Sequence, residues 1–94
     1  MAQVEGINRV AVLGAGTMGH GIAQVCAQAG MEAVLFDVSS EALAKGLAGV
    51  EAMLDKAVSL GKTTREEADE TLARIRPSAD LEDAVKGADL VVEA

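Results

Sequence analysis

Three glycines and one aspartate are the residues of this sequence whose types and spacing indicate chemistry. Gly14, Gly16 and Gly19 satisfy the pattern G-x-G-x-x-G, and Asp37 follows at about the 20-residue separation found in dinucleotide-binding folds. Glycine-rich turns of this kind hold the phosphates of a nucleotide, and the acid holds its ribose. The pattern predicts a dinucleotide site, with a tight turn that binds no ligand as the alternative.

Each position of the glycine turn has a physical reason. Gly14 permits a sharp exit from a strand, Gly16 lacks the Cβ that would collide with a pyrophosphate, and Gly19 lets the next helix lie close to the sheet. The first N–H groups of that helix are donors without intrahelical partners, and the helix dipole strengthens their attraction for phosphate. The predicted cofactor-binding turn comprises Gly14, Ala15, Gly16, Thr17, Met18 and Gly19.

Asp37 indicates which dinucleotide to expect. A carboxylate at the end of a strand can accept both hydroxyls of the adenosine ribose of NAD, and it would repel the 2′-phosphate of NADP. NAD is therefore the predicted cofactor. The alternative for Asp37 is a turn or helix-capping aspartate in front of the sequence VSSEAL.

Hydrophobic periodicity predicts the elements that position these residues. The run INRVAVL over 7–13 and the run EAVLFDV over 32–38 are typical of buried parallel strands. Between them the spacing predicts a helix that ends at Gly30, with an apolar face of Met18, Ile22, Val25 and Ala29. The glycine turn thus joins a strand to a helix, as a nucleotide site requires.

A helical hairpin and a second pair of strands are expected to follow. Ser39 or Ser40 is expected to cap a helix to about Leu60, and Thr64 a second helix that stops before Pro77. A short extended piece, a brief helix and a final strand, ADLVVEA, complete the chain. With right-handed crossovers this is an α/β fold, a partial Rossmann-type parallel sheet of order 3-2-1-4 with the hairpin inserted between strands 2 and 3.

Composition and charge limit the partners. A formal net charge of −7 and a pI of about 4.5 leave no basic surface for nucleic acid or an anionic membrane. A single cysteine, Cys26, excludes an internal disulfide, and with one histidine we expect no metal site. Because we find neither a signal peptide nor the ~20 apolar residues of a membrane span, we expect a cytoplasmic protein.

Three further reactive side chains lie near the predicted site. His20 stands at the pyrophosphate end, where a helix N-terminus disfavours its protonation, so we do not expect it to be a catalytic base. Cys26 is expected to be a small buried hydrophobic residue. Glu93 is expected either to border the cofactor crevice opposite Gly14 or to belong to the turn after the last strand.

These motifs occur together in one known family. With GAGTMGHGIAQ after the first strand, VLFDVS at the end of the second, the hairpin and ADLVVEA, the chain resembles the 3-hydroxyacyl-CoA dehydrogenases, most closely the bacterial 3-hydroxybutyryl-CoA dehydrogenase branch. The resemblance extends along essentially the whole chain. It implies an oxidoreductase of fatty acid metabolism that interconverts an L-3-hydroxyacyl-CoA and a 3-ketoacyl-CoA by hydride transfer with NAD.

The resemblance also implies that the catalytic residues lie elsewhere. The family's catalytic histidine, and the glutamate, serine and asparagine that assist it, come after the strand that begins at Asp89. Residues 1–94 are therefore expected to be the N-terminal portion of an NAD-binding domain that is inactive alone, and the full protein to dimerise through a later helical domain. The alternatives are another NAD-dependent dehydrogenase with the same βαβ start and a non-catalytic nucleotide-binding module.

A contact to the acyl-CoA substrate is implied on the hairpin. In the family this hairpin lies beside the CoA, and a basic residue there can meet its phosphates. The candidates here are Lys56 and Lys62, with Met53 at about the position where relatives carry a small polar contact. The alternative is an ordinary solvated charged face, because Asp55 and other acids lie close by in the sequence.

Overall fold

The computed structural model describes residues 6–94, and the N-terminal stretch in which we found no signal peptide lies partly outside them. Strands and helices alternate except where two helices follow one another between the second and third strands. In chain order the elements are β1 (Arg9–Leu13), α1 (Thr17–Gln28), β2 (Glu32–Phe36), α2 (Ser40–Ser59), α3 (Arg65–Ala73), β3 (Ile75–Ser78), α4 (Leu81–Val85) and β4 (Leu90–Glu93).

The strands form one four-stranded parallel sheet of order β3-β2-β1-β4, which confirms the predicted topology. The two central strands are buried on both faces, as their continuous apolar sequences predict. When every crossover is right-handed, the helices lie on one face of the sheet if the chain moves to a neighbouring strand on one side, and on the other face if it moves to the other side. Accordingly α1, α2 and α3 share the main core with the sheet, and α4 contacts β2 and β3.

The buried face of α1 differs from the predicted one. Met18 and Val25 are 69% and 53% exposed, and the side that packs on the sheet consists of Gly19, Ala23 and Ala27. The prediction followed the largest apolar residues, but the helix lies so close to the sheet that only glycine and alanine fit between them. Large residues from α2, Val50 and Leu54 among them, fill the remaining core.

The predicted helix caps are present. The hydroxyl of Ser39, rather than that of Ser40, accepts the N–H of Ala42 at 3.1 Å, and α2 therefore begins at Ser40. The Thr64 hydroxyl accepts the N–H of Glu67 at 3.1 Å and starts α3. These caps fix the first residue of each helix of the hairpin.

The third strand begins earlier than expected, at Ile75, and Pro77 lies inside it. The N–H groups of Ala33 and Asp37 donate to the carbonyls of Arg74 and Ser78, so the even-numbered residues of this segment face β2. Pro77 has an odd number, and its nitrogen points away from the sheet, where no ladder bond is lost. The preceding helix stops before Pro77, as expected, but it already ends at Ala73, which leaves room for β3 to begin at Ile75.

Candidate functional site

The glycine turn is held by the last bond of the β1–β2 ladder. The N–H of Gly14 donates to the carbonyl of Phe36 at 2.8 Å, and the chain then turns at a Gly14 φ of 109°. A Cβ added to Gly19 would overlap the carbonyl oxygen of Gly14, so α1 can start this close to β1 only with glycine there. Gly14 and Gly19 are thus required by protein geometry alone.

Gly16 is different, because protein packing does not require it. A Cβ added there would have no protein atom of the described chain within 4 Å. A demand for glycine at this exposed position must come from outside the chain, as it would from a ligand that approaches the backbone closely. The position therefore fits a pyrophosphate.

The N-terminus of α1 offers donors to such a ligand. The first helical hydrogen bond is from the His20 N–H to the Gly16 carbonyl, at 3.0 Å, so the N–H groups of Gly16, Thr17 and Met18 precede it. Gly16 is the N-cap, no side chain of the described residues caps the helix, and its first turn carries no acid. The end of the helix is consequently a backbone anion site without a charged side chain in it.

Asp37 lies directly after β2 and contacts the glycine turn. Its Oδ2 accepts the N–H of Ala15 at 3.1 Å, and its Oδ1 accepts the N–H of Ser39 at 3.0 Å. These N–H groups, of Ser39 first and of Ala15 second, hold the pKa of the Asp37 carboxyl below its usual range. The side chain is therefore ionised at neutral pH, and it is partly a turn residue, as the alternative interpretation supposed.

A crevice of about 340 Å³ opens at the carboxyl ends of the strands, where ligands of open α/β sheets bind. It brings together Gly14 of the glycine turn, Asp37 and the end of β4. Glu93 lies on this crevice with Gly14, which favours the first of the two expectations for it. The residues that line it are Leu13, Gly14, Phe36, Asp37, Val38, Leu81, Glu93 and Ala94.

A second cleft, of about 250 Å³, separates the glycine turn from α2. Ala15, Gly16, Thr17, His20, Ala42, Lys45 and Gly46 line it. Gly46 supports the turn from behind, because a Cβ added to it would lie 2.8 Å from the carbonyl oxygen of Ala15. We did not identify Gly46 from the sequence, although a glycine inside a helix costs about 1 kcal/mol relative to alanine and signals a packing reason.

The comparisons with known proteins agree with this geometry. The family model described as the NAD binding domain of 3-hydroxyacyl-CoA dehydrogenase matches residues 9–94. The chain belongs to the 3-hydroxyacyl-CoA dehydrogenase family. The match is to the family's NAD-binding domain, which confirms NAD as the cofactor that the glycine pattern predicts.

Individual relatives support the same family. The chain is 46% identical to a 3-hydroxyadipyl-CoA dehydrogenase of Escherichia coli over 94% of its length and 18% of the relative's. It is 40% identical to a 3-hydroxybutyryl-CoA dehydrogenase of Mycobacterium tuberculosis over 96% of its length and 31% of the relative's. The chain thus spans a third or less of the length of these relatives.

A solved structure shows the same fold. The (S)-3-hydroxybutyryl-CoA dehydrogenase of Ralstonia eutropha superimposes with a TM-score of 0.90 at 43% identity, over 94% of this chain and 31% of the other. The helical hairpin between the second and third strands therefore belongs to the architecture of 3-hydroxyacyl-CoA dehydrogenases.

His20 and Cys26 take no part in the crevice of this dehydrogenase domain. His20 lines the cleft beside α2, where its Nε2 would lie 2.8 Å from a Cβ on Gly49, and its Nδ1 is buried without a hydrogen-bond partner in the described chain. Cys26 is half-buried, and burial raises the pKa of its thiol, which disfavours the reactive thiolate.

The structure brings Lys56 and Lys62 together, away from the crevice. Both line a depression of about 260 Å³ with Gln24, Met53, Ala57 and Leu60, and none of these residues lines the crevice of Asp37.

In residues 6–94 no group of His, Cys, Asp or Glu could hold a metal ion. None of the described helices is long and apolar enough to cross a membrane.

The contact of Gly46 with the turn generates a testable expectation. Gly46→Ala should lower the free energy of unfolding by about 1–3 kcal/mol, because the new methyl group must displace a backbone carbonyl. It should also weaken NAD binding, since the displaced carbonyl precedes Gly16. Urea unfolding and calorimetric titration measure the two effects.

Gly21→Ala is the matched control, because it places the same methyl group in α1 with no atom within 4 Å. It should be neutral or stabilise the protein by up to about 1 kcal/mol through helix propensity. A Gly46→Ala protein as stable as the Gly21→Ala protein would contradict the supporting role of Gly46.

Proposed function

We propose that this chain is the NAD-binding portion of an enzyme that interconverts L-3-hydroxyacyl-CoA and 3-ketoacyl-CoA, with 3-hydroxybutyryl-CoA as the substrate. The observation that carries the proposal is the uncapped N-terminus of α1 beside the carboxylate of Asp37. Several relatives carry names that fit it, including 3-hydroxybutyryl-CoA dehydrogenases and the alpha subunit of a fatty acid oxidation complex. We infer a cytoplasmic enzyme of fatty acid metabolism.

We propose that two parts of the site bind two different groups of NAD. We assign the pyrophosphate to the backbone of the turn, Gly14, Ala15, Gly16, Thr17, Met18 and Gly19. We assign the adenosine ribose to Asp37. An ionised carboxylate offers about four acceptor positions, and the N–H groups of Ala15 and Ser39 do not use all of them, so acceptor positions remain for the ribose.

NAD supplies the hydride acceptor, and the residues of this chain bind and orient it. Among the described residues that line the crevice, the ionisable ones are Asp37 and Glu93. Asp37 is bonded to the backbone, and we assign no proton transfer to either acid. The chain covers only part of the length of its relatives, and the family resemblance implies that the catalytic residues lie elsewhere in a longer polypeptide. As the resemblance implies, we propose that the longer enzyme forms a homodimer through a further helical domain.

We propose Lys56 and Lys62 as the contacts of this chain with the phosphates of acyl-CoA. Their support is that both line one depression, whose apolar residues Met53 and Leu60 are also exposed. Lys62→Glu in the longer enzyme should raise the KM for acetoacetyl-CoA several-fold and leave the KM for NADH unchanged. An unchanged KM for the acyl-CoA would assign Lys62 to the solvated surface, and the same measurement on Lys56→Glu decides the role of Lys56.

The cofactor assignment is tested by calorimetric titration of the chain with NAD and with NADP. NAD should bind more tightly, because the ionised Asp37 repels a 2′-phosphate, and Asp37→Ala should weaken NAD on the order of tenfold and reduce the preference. Since the pKa of Asp37 is lowered, its contribution should not change between about pH 5 and 8 and should be lost only in stronger acid. Equal affinities of the unaltered chain for NAD and NADP would remove Asp37 from cofactor selection.

Because the proposed catalytic residues lie elsewhere, residues 1–94 should bind NAD without catalysing hydride transfer. The measurement is oxidation of NADH by acetoacetyl-CoA, followed by the loss of NADH absorbance. No rate above that of the protein-free solution is expected. A circular dichroism spectrum and the NAD titration of the same sample show whether the chain is folded, and a measurable rate would refute the proposal that the catalytic residues lie elsewhere.

A further inference from the structure

The carboxylate of Asp37 contacts the phosphate-binding turn as well as its own turn. Ser39 is two residues away in sequence, and its bond to Oδ1 is a local one. Ala15 belongs to the glycine turn, and its bond to Oδ2, at 3.1 Å, is partly buried and joins residues that are 22 apart. The second bond links the ribose end of the site to the pyrophosphate end.

Ala15 is held on several sides. The residue is only 3% exposed, its N–H is bonded to Asp37, and its carbonyl oxygen lies so close to Gly46 that a Cβ added there would be 2.8 Å from it. The Ala15 carbonyl and the Gly16 N–H belong to the same planar peptide group. The Ala15 N–H that Asp37 accepts belongs to the preceding peptide group, and it restrains the direction of the Gly16 N–H through the Ala15 backbone. The Gly16 N–H is one of the donors assigned to the pyrophosphate.

Other bonds do not fix this orientation by themselves. The ladder ends at the Gly14 N–H and α1 begins at Thr17, so Gly14, Ala15 and Gly16 lie outside regular structure. Gly14 adopts a φ of 109°, and as glycine it has access to many other backbone conformations. The bond from Ala15 to Asp37 is the side-chain restraint on this segment.

We propose that Asp37 is a positioning residue for the phosphate-binding turn, in addition to a ligand of the ribose. The proposal rests on the NAD site proposed above and deepens it. In the ligand-free protein the carboxylate already holds Ala15, and the ribose hydroxyls then bind to its remaining acceptor positions. Loss of the side chain should therefore weaken the binding of phosphate even when the ligand has no ribose hydroxyl to offer.

The test uses two ligands, ADP and 2′,3′-dideoxy-ADP, and the variants Asp37→Ala and Asp37→Asn. Both variants remove the same charge, but asparagine keeps one acceptor oxygen. Slow exchange of the Ala15 amide in the asparagine variant identifies the rotamer that accepts from Ala15 rather than from Ser39, and the comparison of affinities applies to that rotamer. The asparagine variant should bind 2′,3′-dideoxy-ADP on the order of tenfold more tightly than the alanine variant. Equal affinities of the two variants for this ligand would overturn the proposal and leave Asp37 as a ribose ligand only.

A second measurement needs no ligand. The amide of Ala15 should exchange its hydrogen faster in the Asp37→Ala protein than in the unaltered protein, while the amide of Gly14, bonded to Phe36, should not change. Unchanged exchange at Ala15 would also overturn the proposal. Asp83→Asn removes a different hydrogen-bonded carboxylate, on α4, and should affect neither amide.

The outcomes separate the two proposals. If the unaltered chain binds neither ADP nor NAD, the proposed cofactor site fails, and the exchange of the Ala15 amide still decides whether Asp37 positions the turn. If ADP binds and the two Asp37 variants do not differ toward the dideoxy ligand, the cofactor site stands and the positioning role fails.

Discussion

Helix α1 approaches the end of β1 so closely that the Gly14 carbonyl occupies the space that a Cβ on Gly19 would need. Because the helix starts against the strand, the small residues Ala23 and Ala27 continue the contact along the sheet, and both are fully buried. The same approach directs the free N–H groups of the helix to the carboxyl edge of the sheet. The packing of the core and the geometry of the cofactor site are thus consequences of one backbone contact.

The acidic character of the chain is compatible with an anionic cofactor because the proposed phosphate donors are backbone groups. Several of its cationic side chains are paired with acids away from the site. Arg9 bonds to Glu32, Arg65 to Asp55 and Arg76 to Asp83, at 2.7–2.8 Å, and all are largely exposed. Such surface pairs contribute little to stability. The helix dipole and the N–H groups carry no titratable charge. Binding through them needs no excess of basic side chains, so the net charge can stay negative, which favours solubility.

Most of the fold could be predicted from the sequence because its signals are local. Buried strands, capping residues such as Ser39 and Thr64, and the glycine turn each depend on neighbours in the chain. The face of α1 could not be predicted from hydrophobicity, because the nearness of the sheet excludes the larger side chains Met18 and Val25. The role of Gly46 depends on a carbonyl 31 positions earlier, Ala15, and only the tertiary structure brings the two together. The hydrogen bond from the Ala15 N–H to Asp37 likewise joins residues that only the tertiary structure brings together.

Pro77 makes the two sides of this sheet unequal. Its nitrogen lies on the outer side of β3, so a further strand placed there would find one of the donors that it needs missing. At the other edge, β4 has no proline, and its Leu90 and Val91 are 44% and 46% exposed. The sheet can therefore be extended with complete pairing in one direction only. Association of β3 edges between molecules is discouraged by the same residue, which protects the chain from one common route to aggregation.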